Sequence, residues 1–437
     1  IINLMPLIEK NWTIYYDAIT YTFNLRYYVL FHKHELFGKD STRTVKAADF
    51  VYSLNRIRDP KLASPGSWVM RNVNTLKAVN DTTLQITLNQ PFPAFLGLLT
   101  MQYCSVVPKE IVAYYGNDFR SNPIGTGPFK FKRWEENIKL VFRKNETYFE
   151  KDIEGNPLPY LEAVAITFLP DKQSEFLQFI QGNIDFLDGI DPSYKDDILT
   201  ANGKLRDKYK KDVDMIRGPY LNTNYIGFYQ DSNAPEMQSQ LIRQAVNYGF
   251  DREKMMSYLG NGIGFPGYGG FIPKGLPGHD GSIGYNYQPE KAKILIETYK
   301  KTTGDQEPEI TLTTTNVSLN YCEYIQRELE KIGLKVNIDV MTPPTKKDAQ
   351  SNGKLDAFRA SWIADYPDAE NFLGMFYGKN FAPNGPNYTH FKNKLFDSWF
   401  EDAFNITDID ERKLLYKKMD SLVMREAPIV VMYLSLI

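Results

Sequence analysis

From residue 288 to residue 363 the sequence alternates between helical and strand-like periodicity, and this run constrains the fold more than any other feature. Residues 288–300 read as helix, 309–315 as strand, 319–332 as helix, 334–341 as strand and 356–363 as a further strand. A strand–helix–strand of this length is a βαβ unit, which calls for parallel sheet and a right-handed crossover. Ligands of open α/β sheets sit outside the carboxyl ends of the strands. That rule directs attention to whatever follows residue 363.

The remainder is organised in the same mixed way. Residues 20–25 and 83–88 alternate as half-buried strands, and 46–56 form an amphipathic helix with Phe50, Val51 and Leu54 on one face. Residues 92–101 are apolar enough for a buried helix. Residues 123–128 are a Gly- and Pro-rich turn that feeds a strand from Phe129. A strand at 163–168 and a helix at 173–181, closed by Gly182, complete the first half. Beyond about residue 220 come a strand at 224–229, helices at 235–249 and 252–258, the latter capped by Asp251, and a long ordered loop at 260–284. Asp368 caps a helix through Phe376. A chain of 437 residues has room for two to four structural units. The pattern predicts two separate α/β lobes.

Charge and cysteine content exclude several classes of function. Lys and Arg number 51 against 53 Asp and Glu, a formal net charge of −2, so nothing electrostatic points to nucleic acid or an anionic membrane. Aromatic residues reach 14%, and Tyr combines contact area with a polar handle suited to a wet ligand cavity. Cys104 and Cys322 are too few for a disulfide framework or a Cys-ligated zinc site, and they are expected as buried free thiols in different lobes. No apolar run approaches the roughly 18 residues of a membrane span. The start, Ile1-Ile2-Asn3, shows no signal-peptide pattern, and the end stops inside a strand-like run, so further residues are expected at both ends.

Catalytic and cofactor signatures are missing. His32 and His34, two apart on an expected strand, share a face, but no set of metal ligands accompanies them or His279 and His390. There is no Gly-x-Ser-x-Gly elbow. Gly125-Thr126-Gly127 lacks the Lys and Ser/Thr of a phosphate loop, and Gly260–Gly264 follows a helix where a dinucleotide motif follows a strand. Carboxylate pairs such as Asp185/Asp188 and Asp188/Asp191 read as solvated surface. The expectation is no enzyme, no cofactor and no metal.

One cluster stands apart. Arg359, Trp362 and Asp365 fall within and just beyond an apolar strand, where an Arg and an Asp are costly unless paired or functional. A carboxylate at Asp365 can bind an α-amine, Arg359 can take a carboxylate bidentately, and Trp362 can wall the space between. The same residues equally suit an internal Arg359–Asp365 salt bridge.

This stretch, with four others, resembles the extracytoplasmic peptide-binding receptors of ABC importers, the family 5 solute-binding proteins. The other segments are residues 21–26 with Val29, Phe31 and His32; residues 44–53; residues 122–129; and residues 242–247 with Asp251 and Arg252. The resemblance implies an α/β, two-lobed class II periplasmic-binding-protein fold with mixed sheets, flanking helices and a ligand cleft between the lobes. Lobe I would run from 1 to 220, lobe II from 221 to 431, with 432–437 starting a return to lobe I. It further implies Asp365 as the site for a peptide's amino terminus, Arg359 for the carboxylate of a short peptide and Trp362 as cavity wall. Partners would be a peptide ligand and the permease and ATPase of an importer, with the protein a periplasmic monomer carrying a lipid anchor. Oligosaccharides, nickel complexes or haem are alternative ligands within the fold, and a scaffold or accessory lipoprotein is an alternative role. The family's turns place Gly near Ala18 and Tyr28, so positive φ is expected at both, and a Tyr is often found around Leu434.

Overall fold

The computed structural model describes residues 4–436, apart from 17, 63, 189–193, 201–202, 217 and 261–263. Asp191, residues 261–263 of the glycine-rich stretch and the start at Ile1–Asn3 therefore lie outside the described residues. The chain divides into two compact units, residues 3–188 and 189–437.

The smaller unit holds a four-stranded antiparallel sheet of β1 (Glu9–Ile14), β2 (Thr20–Leu25), β3 (Val73–Asn80) and β4 (Thr83–Leu88) in the order β1-β2-β4-β3. Strands β2 and β4 each bury every second residue, as their sequence alternation requires. Helix α1 (Ala47–Arg58) buries Ala47, Leu54 and Ile57, with Phe50 and Val51 only partly covered, so its inner stripe is rotated slightly from the expected one. The apolar run 92–101 gives only the short α2 (Phe95–Leu99), followed by α3 (Lys109–Tyr115). A second sheet joins β5 (Phe129–Glu135), β6 (Lys139–Lys144) and β7 (Ala163–Thr167). Helix α4 (Lys172–Ile180) ends as expected with Gly182 at φ 75°.

His32 and His34 are not on a strand. His32 is buried against the glycine-rich turn: Nε2 donates to the Gly127 carbonyl at 2.9 Å and Nδ1 accepts from the Gly125 N–H at 3.4 Å. Burial lowers its pKa, which suits the neutral ring those contacts need. His34 instead contacts the Tyr115 hydroxyl at 3.0 Å. Ala18 does adopt positive φ, 52°, whereas Tyr28 does not.

The larger unit is built on a six-stranded mixed sheet. Its elements in chain order are α5 (Lys195–Ile198), β8 (Pro219–Phe228), α6 (Pro235–Gln238), α7 (Gln240–Tyr248), α8 (Arg252–Gly260), β9 (Phe265–Pro266) and α9 (Pro289–Thr303). Then follow β10 (Glu309–Thr314), α10 (Leu319–Glu330), β11 (Lys335–Val340), α11 (Pro343–Ser351), β12 (Ala357–Ile363), α12 (Glu370–Leu373), α13 (Lys394–Ala403), α14 (Ile409–Glu426) and β13 (Ile429–Leu436). The strand order is β11-β10-β12-β8-β13-β9, with β11, β10 and β12 parallel and the rest antiparallel. The βαβ expectation holds. Alternate residues of β8 enter different cores: Tyr225 joins Phe271, Phe358 and Phe372, while Ile226 and Phe228 join Ile242, Ile296 and Leu312. Gly227 opposes Phe358 in the ladder, and a Cβ there would come within 2.5 Å of the ring, so only glycine lets the ring lie across the strand.

Two boundaries differ from expectation. The compact units part at 188/189 and not at 220, and just past that division Lys195 donates to the Tyr258 and Leu259 carbonyls at the end of α8. Residues 432–436 stay within β13, where Tyr433 and Leu434 pair with β8 and β9, so they continue the larger unit's sheet. The expected helix 235–249 is broken at Ser239, whose ψ of 115° is extended. The Met237 carbonyl near that break is taken up by Arg243 at 2.7 Å. Arg243 also donates to the Glu426 and Ala427 carbonyls, which supports Ala427 as a left-handed C-cap of α14. Cys104 and Cys322 are buried free thiols, one in each unit.

Candidate functional site

The carboxyl half of β12 is where the larger unit's sheet opens. Ala357 and Phe358 are buried, but Ser361 and Ile363 are exposed, Ile363 by 46%. The strand is thus not the fully buried element its apolar sequence suggests, and polar residues near its end are affordable.

Strand geometry separates the three candidate residues. Arg359 and Trp362 differ by an odd number of positions and so project from opposite faces of β12. Asp365 lies beyond the strand end and is exposed. On one face, Trp362 packs beside Ala360 against the core that contains Phe358 and Phe372. Its Nε1–H donates to Asn371 Oδ1 at 2.9 Å. The same oxygen accepts the Asp365 backbone N–H at 3.2 Å, and Asn371 Nδ2 donates to Asp365 Oδ2 at 3.4 Å. Asn371 therefore joins Trp362 to Asp365.

On the other face, Arg359 is half-buried. Its Nη2 donates to Asn224 Oδ1 at 2.5 Å and to the Tyr433 hydroxyl at 3.1 Å. Asn224 is braced by hydrogen bonds to Asn222 and Ser435. Tyr433 stacks on Tyr321 with centroids 5.2 Å apart. Arg359 Nε is buried with no hydrogen-bond partner among the described residues. No ion pair joins Arg359 to Asp365 among the described residues, so the salt-bridge alternative is not realised. Both of Arg359's partners are neutral, and its charge has no carboxylate against it there.

A buried polar network lies behind this edge. Asp368 accepts from the Tyr416 hydroxyl at 2.9 Å, from the Glu370 N–H at 2.9 Å and from Arg412 Nη2 at 3.5 Å. The N-cap of α12 is Ala369, one residue after the expected Asp368, and the regular helix is only one turn before it continues as a 3-10 turn to Phe376. The Tyr366 hydroxyl donates to Glu370, whose carboxyl burial pushes up to about 7. One turn along α14 from Tyr416, Asp420 pins the long loop by accepting the Phe271 and Ile272 N–H groups. Asn371, Asn224 and Tyr433 are the contributors that sequence reasoning missed. The only signal for Asn371 was its place six residues after Asp365 in the same polar turn.

The arrangement is a rigid strand end that presents a carboxylate and an aromatic ring on one side and an uncompensated guanidinium on the other. The pattern of bacterial extracellular solute-binding proteins, family 5, matches residues 3–384. The chain belongs to this family. Among its relatives, the Heme-binding protein A of Haemophilus influenzae is 28% identical over 449 residues, covering 98% of this chain and 78% of that protein. The Dipeptide-binding protein of Escherichia coli is 24% identical over 453 residues, covering 98% and 80%. Solved structures agree on the fold. The periplasmic binding protein DppA of Helicobacter pylori, in complex with peptide STSA, matches with a TM-score of 0.79 at 24% identity, over 99% of this chain and 84% of that one. The substrate-binding protein CtaP of Listeria monocytogenes matches with a TM-score of 0.82, also at 24% identity and over 99% and 84%. The family member described here thus has the α/β fold of periplasmic binding proteins, and no described helix is long and apolar enough to cross a membrane.

Proposed function

We propose that this protein captures peptides with a free amino terminus and delivers them to the permease and ATPase subunits of an ABC-type importer. Asp365 carries the reading: an exposed carboxylate, oriented by Asn371 beside the Trp362 ring, is built to take an ammonium group through a charge-assisted hydrogen bond. Arg359, held only by neutral partners, is the group for a ligand carboxylate. The names of the dipeptide-binding relative and the peptide-bound neighbour support a peptide as ligand. The role is binding without turnover, at a periplasmic location, as a monomer with a lipid anchor.

Haem is the second reading, favoured by the 28% identity to a heme-binding protein. Native mass spectrometry of the purified protein separates the two. The peptide reading expects a set of retained masses that resolve into short peptides on denaturation. A single haem mass, or an empty protein that also gives no heat with di- to pentapeptides, contradicts it.

A further inference from the structure

Asn371 is only 7% exposed, yet its amide is not used as Asn247 and Asn387, two other buried asparagines of this unit, use theirs. Asn247 donates to the Arg243 and Ile429 carbonyls, and Asn387 to the Tyr377 and Phe391 carbonyls, so both tie backbone to backbone within the core. Besides Tyr366, the Asn371 amide instead contacts two residues at the end of β12. Its oxygen takes the Trp362 indole N–H and the Asp365 backbone N–H, and its nitrogen reaches the Asp365 carboxylate.

The main chain that carries this side chain is itself fixed. The Asn371 backbone N–H donates to the Asp368 carbonyl at 3.2 Å, and the Asp368 carboxylate is gripped by Tyr416 and Arg412 of α14. Asp368 and Arg412 are each 7% exposed and Tyr416 is 2% exposed, so the chain of contacts ends in the core. An exposed carboxylate with no such tether samples several rotamers and loses that freedom on binding a cation. Here the loss has already been incurred in the folded state.

We propose that Asn371 is the positioning residue of this site: it sets the spacing between the Trp362 ring and the Asp365 carboxylate and so determines selectivity for ligands with a cationic amine. This rests on Asp365 as the amine anchor. The test compares wild type with Asn371→Leu, of similar size but without hydrogen-bonding groups, by calorimetry with tri-alanine and N-acetyl-tri-alanine. The expected result is a loss of about 10-fold for tri-alanine with the acetylated peptide unchanged. An equal loss for both peptides, or no loss for either, overturns the proposal. A second readout needs no ligand: hydrogen exchange of the Trp362 indole N–H in ¹⁵N-tryptophan-labelled protein, assigned through its absence in Trp362→Phe. Exchange about 10-fold faster in Asn371→Leu supports positioning, and unchanged exchange overturns it. If wild type binds neither peptide, the amine reading fails while the exchange result still decides the role of Asn371. Should the Leu variant not fold, Asn371→Ser removes the same contacts with the same expectations.

Discussion

Arg359 and Tyr433 meet across an intervening strand: the guanidinium on β12 donates to the hydroxyl on β13 at 3.1 Å, with Asn224 of β8 held between them at 2.5 Å. Both acceptors are neutral, so the contact orients the arginine without cancelling its charge. Arg359→Ala is expected to erase discrimination between a tripeptide and its carboxyl-terminal amide. The tripeptide loses roughly 10-fold in affinity, about 1.4 kcal/mol, while the amide changes little. Calorimetry with the two ligands measures this. An equal loss for both would assign Arg359 to folding.

Glu370 gives the larger unit a pH dependence with a definite sign. Burial raises its carboxyl from an ordinary 4.5 to about 7 in the folded protein. Its stabilising contribution is therefore complete below about pH 4.5 and is lost as pH rises through about 7. The loss amounts to roughly 3 kcal/mol. Glu370→Gln stays neutral and can still accept from the Tyr366 hydroxyl. Thermal melts between pH 5 and 8.5 should show the wild type losing ground to the variant as pH increases, and parallel curves would contradict this.

Arg252 is fully buried and donates to the carbonyls of Val431 at 2.7 Å, Asn247 at 2.9 Å and Tyr285 at 3.3 Å. Arg252→Met keeps the volume but leaves these acceptors without their donor, at an expected cost of about 3–5 kcal/mol in urea denaturation. Arg252→Lys should recover only part of it, since an ammonium cannot reproduce the planar fork.

These relationships mark where the sequence was legible. The βαβ run from β10 to β12 could be read because its elements are defined by periodicity within themselves. The break at Ser239 could not, because it is sustained by Arg243, which reaches the Met237 carbonyl and the end of α14 some 180 residues away. Ala18 takes the positive φ that its turn asks for, while Tyr28 sits in a turn that does not need it. The same division applies to the site. Asp365 and Trp362 were visible as a carboxylate and a ring at a strand end. Arg359's true partners lie 135 and 74 residues away, so the local alternative, a salt bridge to Asp365, could be excluded only by the fold. Asn371 looks like any polar turn residue until the chain closes it onto both of its neighbours.

The proposed function stands or falls with Asp365 as the anchor for a ligand's amino terminus. Calorimetry of tri-alanine against wild type and Asp365→Asn tests it most directly, with N-acetyl-tri-alanine as the control. Wild type is expected to prefer the free amine by at least about 10-fold, and Asp365→Asn, which keeps the shape and removes the charge, to abolish the preference. A wild-type protein indifferent to acetylation, or an Asp365→Asn variant that retains the full preference, would contradict it.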